Sequence, residues 1–153
     1  MKRLVVMVGL PQSGKSTEVK LMGCPIVNRD SIRKTLGGTI RYFKEEARVT
    51  EIEHIMVESL FNAGHDDVVI DATHLKPAYR NNWKRFAKNR DYDIYFYLVM
   101  TSLETCMMRA KRNFPDEPKF PGIIRNMWKS SDLTDVRLGS DNRIPENQSE
   151  NWN

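Results

Sequence analysis

A glycine-rich segment near the start of the chain combines the residue types that bind the phosphates of a nucleotide. Residues 9–17 read GLPQSGKST and fit the pattern G-x-x-x-x-G-K-[ST]. In this pattern, backbone N–H groups and the positive end of the following helix surround phosphate oxygens. The lysine reaches the β- and γ-phosphates, and the next hydroxyl ligates Mg²⁺. We therefore predict a nucleoside triphosphate site, with Ser16 as the metal ligand, formed by Gly9, Gln12, Ser13, Gly14, Lys15, Ser16 and Thr17.

Two acidic residues further along the chain could serve the transfer of a phosphoryl group to a hydroxyl. Such a transfer needs a carboxylate near the acceptor hydroxyl and cations around the transferred group. Asp30 precedes Arg33 by three residues, so both side chains can face one site at a helix start. The alternative is that Asp30 only caps that helix.

Asp71 ends an apolar strand and is the second candidate acid. It could ligate Mg²⁺ through water or orient the acceptor, or it could be an ordinary acid in a polar loop. His74 follows in the same loop. A single loop histidine is more often a hydrogen-bonding scaffold than a catalyst.

The elements that must position these residues alternate between strands and helices, which indicates a parallel sheet. The fourth strand is continuously apolar, so we expect both of its faces to be covered. The pattern predicts an α/β fold with about four parallel strands flanked by helices. The carboxyl ends of the strands, where ligands bind, then bring the phosphate loop and both acids together. We predict strands at 3–8, 25–28, 67–71 and 93–100, and helices at 15–22, 30–36, 44–62, 77–90, 102–111 and 122–130.

The length and composition limit the classes of protein to consider. The chain has 153 residues, enough for one domain but too few for two ordinary ones, so we expect no second catalytic domain. No apolar stretch approaches about 18 residues, which argues against a membrane protein. Cys24 and Cys106 fit neither a disulfide framework nor a metal site, so we expect a cytoplasmic protein.

The net charge of +4 is unevenly distributed along the chain. Residues 1–131 carry +7, whereas residues 132–153 carry −3 and have almost no apolar periodicity. We therefore expect a folded domain over 1–131 and a mobile, acidic tail over 132–153. A basic domain favours polyanionic partners such as nucleotides or nucleic acid.

A basic stretch lies in the predicted helix at 77–90 and just before it. Residues 76–90 contain no acid, and one predicted stripe steps by four through Lys76, Arg80, Lys84 and Lys88. The stripe could follow a phosphate backbone, with an aromatic side chain stacked on a base. The alternative is a solvated helix face with Trp83 and Phe86 packed inward. Either way, we expect the positive field to help recruit nucleic acid.

Taken together, these motifs resemble the phage-type polynucleotide 5′-hydroxyl kinases. The segments that carry the resemblance cover nearly all of residues 1–131 in order and spacing: GLPQSGKST, NRDSIRKTL, IDATHLKPAYR, CMMRAKRN and NMWKS. The resemblance implies a kinase domain with the P-loop kinase fold and an arginine-bearing lid. It also implies ATP as the donor, with Mg²⁺, and a 5′-hydroxyl end of DNA or RNA as the acceptor.

The resemblance further implies roles for individual residues. Asp30 resembles the general base that takes the acceptor proton, and Arg33 resembles the group that binds the phosphate of the acceptor strand. Asp71 and Thr73 resemble the acceptor-binding motif, in which many members have Asn where this chain has His74.

The lid is the remaining part of the resemblance. Arg109 and Arg112 fall where the family carries arginines that clamp the ATP phosphates and stabilise the transition state. The spacing leaves open which of Arg109, Lys111 and Arg112 reaches the γ-phosphate. The alternative is a basic helix end in solvent.

We therefore expect an ATP-dependent polynucleotide 5′-hydroxyl kinase, a phosphotransferase with an alcohol acceptor. One alternative is a P-loop kinase of a small acceptor, such as a nucleoside, sugar or antibiotic. Another is a non-catalytic nucleotide-binding module that retains the phosphate loop. The acid–arginine pair argues against this module, because binding alone needs no base.

Overall fold

A computed structural model describes residues 1–39 and 41–138. Strands and helices alternate along most of this part of the chain. In chain order the elements are β1 (Arg3–Val8), α1 (Lys15–Leu21), β2 (Ile26–Asn28), α2 (Arg29–Thr35), α3 (Glu46–Asn62), β3 (Asp67–Asp71), α4 (Pro77–Lys88), β4 (Asp93–Leu98), α5 (Leu103–Asn113), α6 (Phe120–Lys129) and α7 (Thr134–Leu138).

The four strands form one parallel sheet in the order β2-β3-β1-β4. The predicted parallel sheet of about four strands flanked by helices is therefore confirmed. In the register of the sheet, Asn28 at the end of β2 lies opposite Asp71 at the end of β3. The carboxyl ends of β1, β2 and β3 thus place the phosphate loop and these two polar residues at one edge.

Apolar side chains cover both faces of the central strands. In β1, Leu4, Val6 and Val8 belong to the larger core cluster, and Val5 and Met7 belong to a smaller one that includes Val19 of α1. This is the reason why β1 is apolar at successive positions rather than at alternate ones. Among the described helices, none has the length and apolar character needed to cross a bilayer.

Strand β4 lies at the edge of the sheet, and the prediction that both of its faces are covered holds for only part of it. Only the second half of β4 is covered on both faces, because Phe96 packs into the larger cluster and Tyr97 into the smaller one. At its start, Asp93 is exposed. The strand also ends at Leu98 rather than at residue 100.

Helix α2 is not capped by Asp30, the alternative role considered for that residue. Its N-cap is Asn28, whose Oδ1 accepts a hydrogen bond from the backbone N–H of Ser31 at 2.8 Å. Asp30 lies in the first turn and does not cap the helix. Its carboxylate is therefore available for another role.

The predicted basic stripe on α4 is wrong at Arg80, which is fully buried. Arg80 shares the inner face of the helix with Trp83 and Phe86, which pack inward as the alternative stated. The Arg80 guanidinium donates to the backbone oxygens of His74 and Asp132 and pairs with the Asp135 carboxylate at 2.5 Å. A buried guanidinium requires such partners.

The first residues of the predicted tail pack against the domain. The N–H of Asp132 donates to the backbone oxygen of Leu75 at 3.0 Å, and Leu133 and Val136 are buried. The packed body therefore extends past the expected boundary at residue 131. The rest of the predicted tail, from residue 139 to residue 153, lies outside the described residues.

We predict that Asp135→Ala lowers the free energy of unfolding by about 3 kcal/mol, because it leaves the Arg80 charge buried without its carboxylate. Asp135 itself is 38% exposed, which keeps the effect at the low end for a broken buried pair. Urea unfolding at pH 7 measures the change. The matched control is Asp116→Ala, at an exposed position. Equal stability of the two variants would contradict the role of Arg80 in joining this segment to the domain.

Candidate active site

The phosphate loop connects β1 to α1, as predicted. Gly14 precedes the helix with a φ of 98°, a left-handed conformation that favours glycine. Lys15 is buried and its Nζ donates to the backbone oxygen of Leu10 at 2.7 Å. Burial lowers the pKa of Lys15 to about 8. The buried Ser13 Oγ has no hydrogen-bond partner within the described part of the chain.

These features fit a phosphate group bound in the loop. A bound anion would favour the charged form of Lys15 and give both polar groups a strong partner. The first helical turn of α1 contains the remaining predicted loop residues, Ser16 and Thr17.

The tip of the loop contacts the predicted lid helix, α5. The Nη1 of Arg109 donates to the backbone oxygen of Gln12 at 3.1 Å, and the side chains of Asn113 and Gln12 are joined at 3.1 Å. Lys111 and Arg112 are exposed on the same helix. The structure thus brings Arg109 to the phosphate loop and leaves Lys111 and Arg112 at the surface.

Asp71 lies beside the phosphate loop and is buried. Its Oδ2 accepts hydrogen bonds from Ser16 Oγ and Asn28 Nδ2, each at 3.0 Å. A hydroxyl and a carboxylate are oxygen donors of the kind that Mg²⁺ prefers. Asp71 therefore lies on the phosphate-loop side of the site, next to the predicted metal ligand Ser16.

A magnesium site at Ser16 and Asp71 would need further ligands. In the described ranges, no group of three or more His, Cys, Asp or Glu side chains could hold a metal ion by itself. Magnesium in phosphoryl-transfer sites is bound by few protein groups and completed by water and phosphate oxygens. The two residues fit this incomplete type of site.

The structure pairs the two predicted acceptor residues of α2. Arg33 Nη1 donates to Asp30 Oδ1 at 2.7 Å, and Arg33 Nη2 donates to Glu46 Oε1 at 2.7 Å. Partial burial raises the pKa of Asp30, while the Arg33 charge acts in the opposite direction. Asp30 also lies close enough to Lys15 and Asp71 for their charges to act on its carboxyl.

A cavity of about 430 Å³ opens between α2, α3, α4 and the loop after β3; Arg33 lines it, whereas Asp30 does not. Its volume lies in the range of pockets that bind small ligands or single groups of larger ones. Thr73 lines it, and the backbone oxygen of Thr73 accepts a hydrogen bond from Gly9 N–H at 3.0 Å. The cavity wall is therefore attached directly to the phosphate loop. Other lining side chains include Arg29, Arg33, His74, Tyr79 and Trp83.

His74 supports this wall and has no nitrogen free for catalysis. Its Nδ1 donates to the backbone oxygen of Met7 at 2.7 Å, so its Nε2 accepts from Trp83 Nε1–H at 3.0 Å. Complete burial lowers the pKa of His74 to about 4, which keeps the ring neutral. Its φ of 44° is left-handed, a conformation that His and Asn adopt more readily than most residues.

Three residues that sequence reasoning missed hold the α2 arginines in place. Arg29 donates to Thr50 Oγ1 at 3.1 Å and pairs with the buried carboxylate of Glu53. Burial raises the pKa of Glu53 to about 7, with the Arg29 charge opposing this shift. Glu46 and Glu53 are seven residues apart on α3, so they face the same side. This seven-residue spacing was the feature of the sequence that could have indicated a shared role for the two acids.

This chain is similar to a family model, to a viral protein and to several solved structures. A family model described as an AAA domain matches residues 4–120. A predicted bifunctional polynucleotide kinase/RNA ligase of Autographa californica nuclear polyhedrosis virus is 29% identical. The alignment covers 84% of this chain and 20% of the viral protein, so this chain spans about a fifth of that relative.

Solved structures share the fold. A chain of the Pnkp1/Rnl/Hen1 RNA repair complex matches with a TM-score of 0.76 and 24% identity, over 94% of this chain and 48% of that one. A gluconokinase from Sinorhizobium meliloti 1021 matches with a TM-score of 0.58 and 18% identity, over 90% of this chain and 78% of that one. A shikimate kinase from Acinetobacter baumannii matches with a TM-score of 0.53 and 16% identity, over 95% and 84%.

These neighbours identify the sheet and its flanking helices as the P-loop kinase fold. The family model spans most of the chain and includes the phosphate loop, Asp30, Asp71 and the lid arginines. This chain belongs to the AAA domain family of P-loop proteins.

Proposed function

We propose that this chain transfers the γ-phosphate of ATP to the 5′-hydroxyl end of a polynucleotide. The observation that carries the proposal is the Asp30–Arg33 pair, in which Arg33 lines the cavity and the charge of Lys15 acts on the pKa of Asp30. A nucleotide-binding module needs no such acid next to its phosphate loop. A kinase needs one to receive the acceptor proton.

On the donor side, the loop N–H groups and Lys15 hold the ATP phosphates, and Arg109 approaches them from the lid. Ser16 would hold Mg²⁺ with Asp71 beside it. The bound ion would neutralise part of the charge on the β- and γ-phosphates. Of the two predicted lid arginines, Arg109 is better placed for the transition state than the exposed Arg112.

On the acceptor side, the hydroxyl oxygen attacks the γ-phosphorus in line with the bond to the bridging oxygen of ADP. A P–O bond to the acceptor forms, the bond to ADP breaks, and the hydroxyl proton passes to the Asp30 carboxylate. The raised pKa of Asp30 increases its proton affinity, as a general base requires.

In this mechanism Arg33 would bind the phosphate that follows the terminal nucleoside. Asp30 and Glu46 engage only part of its guanidinium, which carries five N–H donors. The remaining N–H groups are available to a phosphate oxygen. Glu46 holds the planar group in a fixed orientation, which favours recognition of a phosphate at a defined position.

The choice of a polynucleotide acceptor has two supports. The charge of +7 on residues 1–131 favours a polyanionic substrate. The viral relative and the repair-complex chain are also named for polynucleotide kinase and RNA repair. A small hydroxyl acceptor is the second candidate, because gluconokinase and shikimate kinase share the fold.

Transfer of labelled phosphate tests the proposal. The protein is incubated with γ-labelled ATP, Mg²⁺ and DNA or RNA oligonucleotides with a 5′-hydroxyl, beside nucleosides and sugars. We expect labelled oligonucleotides, with a rate that falls steeply as salt releases the strand. Oligonucleotides that already carry a 5′-phosphate are the control. Labelling of small acceptors alone would overturn the polynucleotide assignment.

The role of Asp30 predicts a specific loss in an isosteric variant. Asp30→Asn should lower kcat by about 10²- to 10⁴-fold, because the amide cannot take the proton. Affinity for ATP should change little, because Asp30 lies outside the phosphate loop. Steady-state kinetics and nucleotide titration measure the two effects. Asp116→Asn, at an exposed position, is the matched control; wild-type kcat in Asp30→Asn would exclude Asp30 as the base.

The pKa of Lys15 predicts proton uptake when ATP binds. Burial holds this pKa at about 8, so at pH 8 part of the free protein has a neutral Lys15. The polyphosphate raises the pKa again, and binding should therefore take up about half a proton at pH 8. Calorimetry in buffers of different ionisation enthalpy measures the uptake. Lys15→Arg, which stays charged, should bind without it; equal uptake by both proteins would contradict the assignment.

A further inference from the structure

Asn28 contacts two different parts of the site with the two ends of one side-chain amide. Its Oδ1 accepts the N–H of Ser31 at 2.8 Å and so caps α2. Its Nδ2 donates to Asp71 Oδ2 at 3.0 Å. The sheet register favours the second contact, because Asn28 and Asp71 lie opposite each other at the ends of β2 and β3.

The Asn28 amide completes a short chain of hydrogen bonds across the site. The Asp71 oxygen that accepts from Asn28 also accepts from Ser16 Oγ at 3.0 Å. At the other end, the capped turn of α2 carries Asp30, and Arg33 follows on the same helix. The phosphate loop and the acid–arginine pair are thus connected through a single carboxylate and a single amide.

The residue type matters because helix capping alone would not require asparagine. Serine and threonine also cap helices through their hydroxyl oxygen. A hydroxyl can accept and donate at once, but both bonds then meet at a single oxygen. That oxygen cannot lie both where Asn28 Oδ1 meets Ser31 N–H and where Asn28 Nδ2 meets Asp71. Among short side chains, asparagine offers a separate acceptor and donor on one planar group.

We propose that Asn28 is a positioning residue that orients Asp71 beside the phosphate loop and fixes α2 relative to it. The inference rests on the proposed function only because that function identifies the phosphate loop as the ATP side of the site and α2 as the side of the acceptor hydroxyl. Asn28 need not touch either substrate. Its donated hydrogen bond holds the Asp71 carboxylate toward Ser16, where a magnesium ligand is required, and its cap fixes the first turn that bears Asp30.

Two variants that keep the cap separate positioning from capping. Asn28→Ser and Asn28→Thr retain an oxygen for Ser31 N–H but lose the donation to Asp71. The matched control is Asn81→Ser, at an exposed position on α4. Each protein is compared by urea unfolding, by affinity for a non-hydrolysable ATP analogue with and without Mg²⁺, and by kcat for 5′-hydroxyl oligonucleotides.

We expect Asn28→Ser and Asn28→Thr to unfold close to the wild type, because both still cap α2. In both variants kcat should fall by about 10- to 100-fold. The increase in analogue affinity on adding Mg²⁺ should also be about 10- to 100-fold smaller than in the wild type, because the metal ligand has lost its hydrogen-bond partner. Affinity without Mg²⁺ should stay unchanged. Wild-type kcat and wild-type Mg²⁺ response in both variants would overturn the proposal and leave Asn28 as a cap only.

The affinity measurement separates this inference from the proposed function. It requires no acceptor, so it remains informative if the wild type phosphorylates no oligonucleotide. In that case the polynucleotide assignment fails, while a lost Mg²⁺ response in Asn28→Ser still supports the role of Asn28. If Asn28→Ser keeps wild-type kcat and the wild-type Mg²⁺ response, the positioning role of Asn28 is contradicted, while the proposed function stands.

Discussion

The buried carboxylate of Asp71 is the group on which the arrangement of the site depends. A carboxylate removed from water requires hydrogen-bond donors, and here they come from Ser16 after β1 and Asn28 at the end of β2. The strand order places β3 between β2 and β1, so Asp71 lies between the phosphate loop and α2. One carboxylate therefore links the group that holds phosphate to the helix that carries Asp30.

A second buried charge, on Arg80, supports the cavity wall that the loop after β3 forms. Arg80 contacts the backbone of His74 and joins it to the segment at Asp132 and Asp135. His74 in turn bonds to Met7 of β1 and to Trp83 of α4. These contacts fix the loop that begins after Asp71, so the cavity shape depends on a charge that is itself fully buried.

Local patterns in the sequence predicted the fold and much of the site, because they depend on residues that are close in the chain. The phosphate loop and the Asp30–Arg33 pair are of this kind. The burial of Arg80 was not predictable from its spacing, because its carboxylate partner, Asp135, lies 55 residues away in what looked like a tail. The contact of Asn28 with Asp71 was also hidden, because it depends on the pairing of β2 with β3. Where a polar side chain has a distant partner, helical periodicity alone assigns it to solvent.

The proposed mechanism requires the acceptor hydroxyl to lie at the Asp30 carboxylate. A crystal structure with a 5′-hydroxyl oligonucleotide and a non-hydrolysable ATP analogue tests this directly. The terminal 5′ oxygen should lie within about 3 Å of an Asp30 carboxylate oxygen and face the γ-phosphate beside Lys15, with the next phosphate on Arg33. A strand whose 5′ end lies away from Asp30, with Asp30 still paired only to Arg33, would contradict this mechanism.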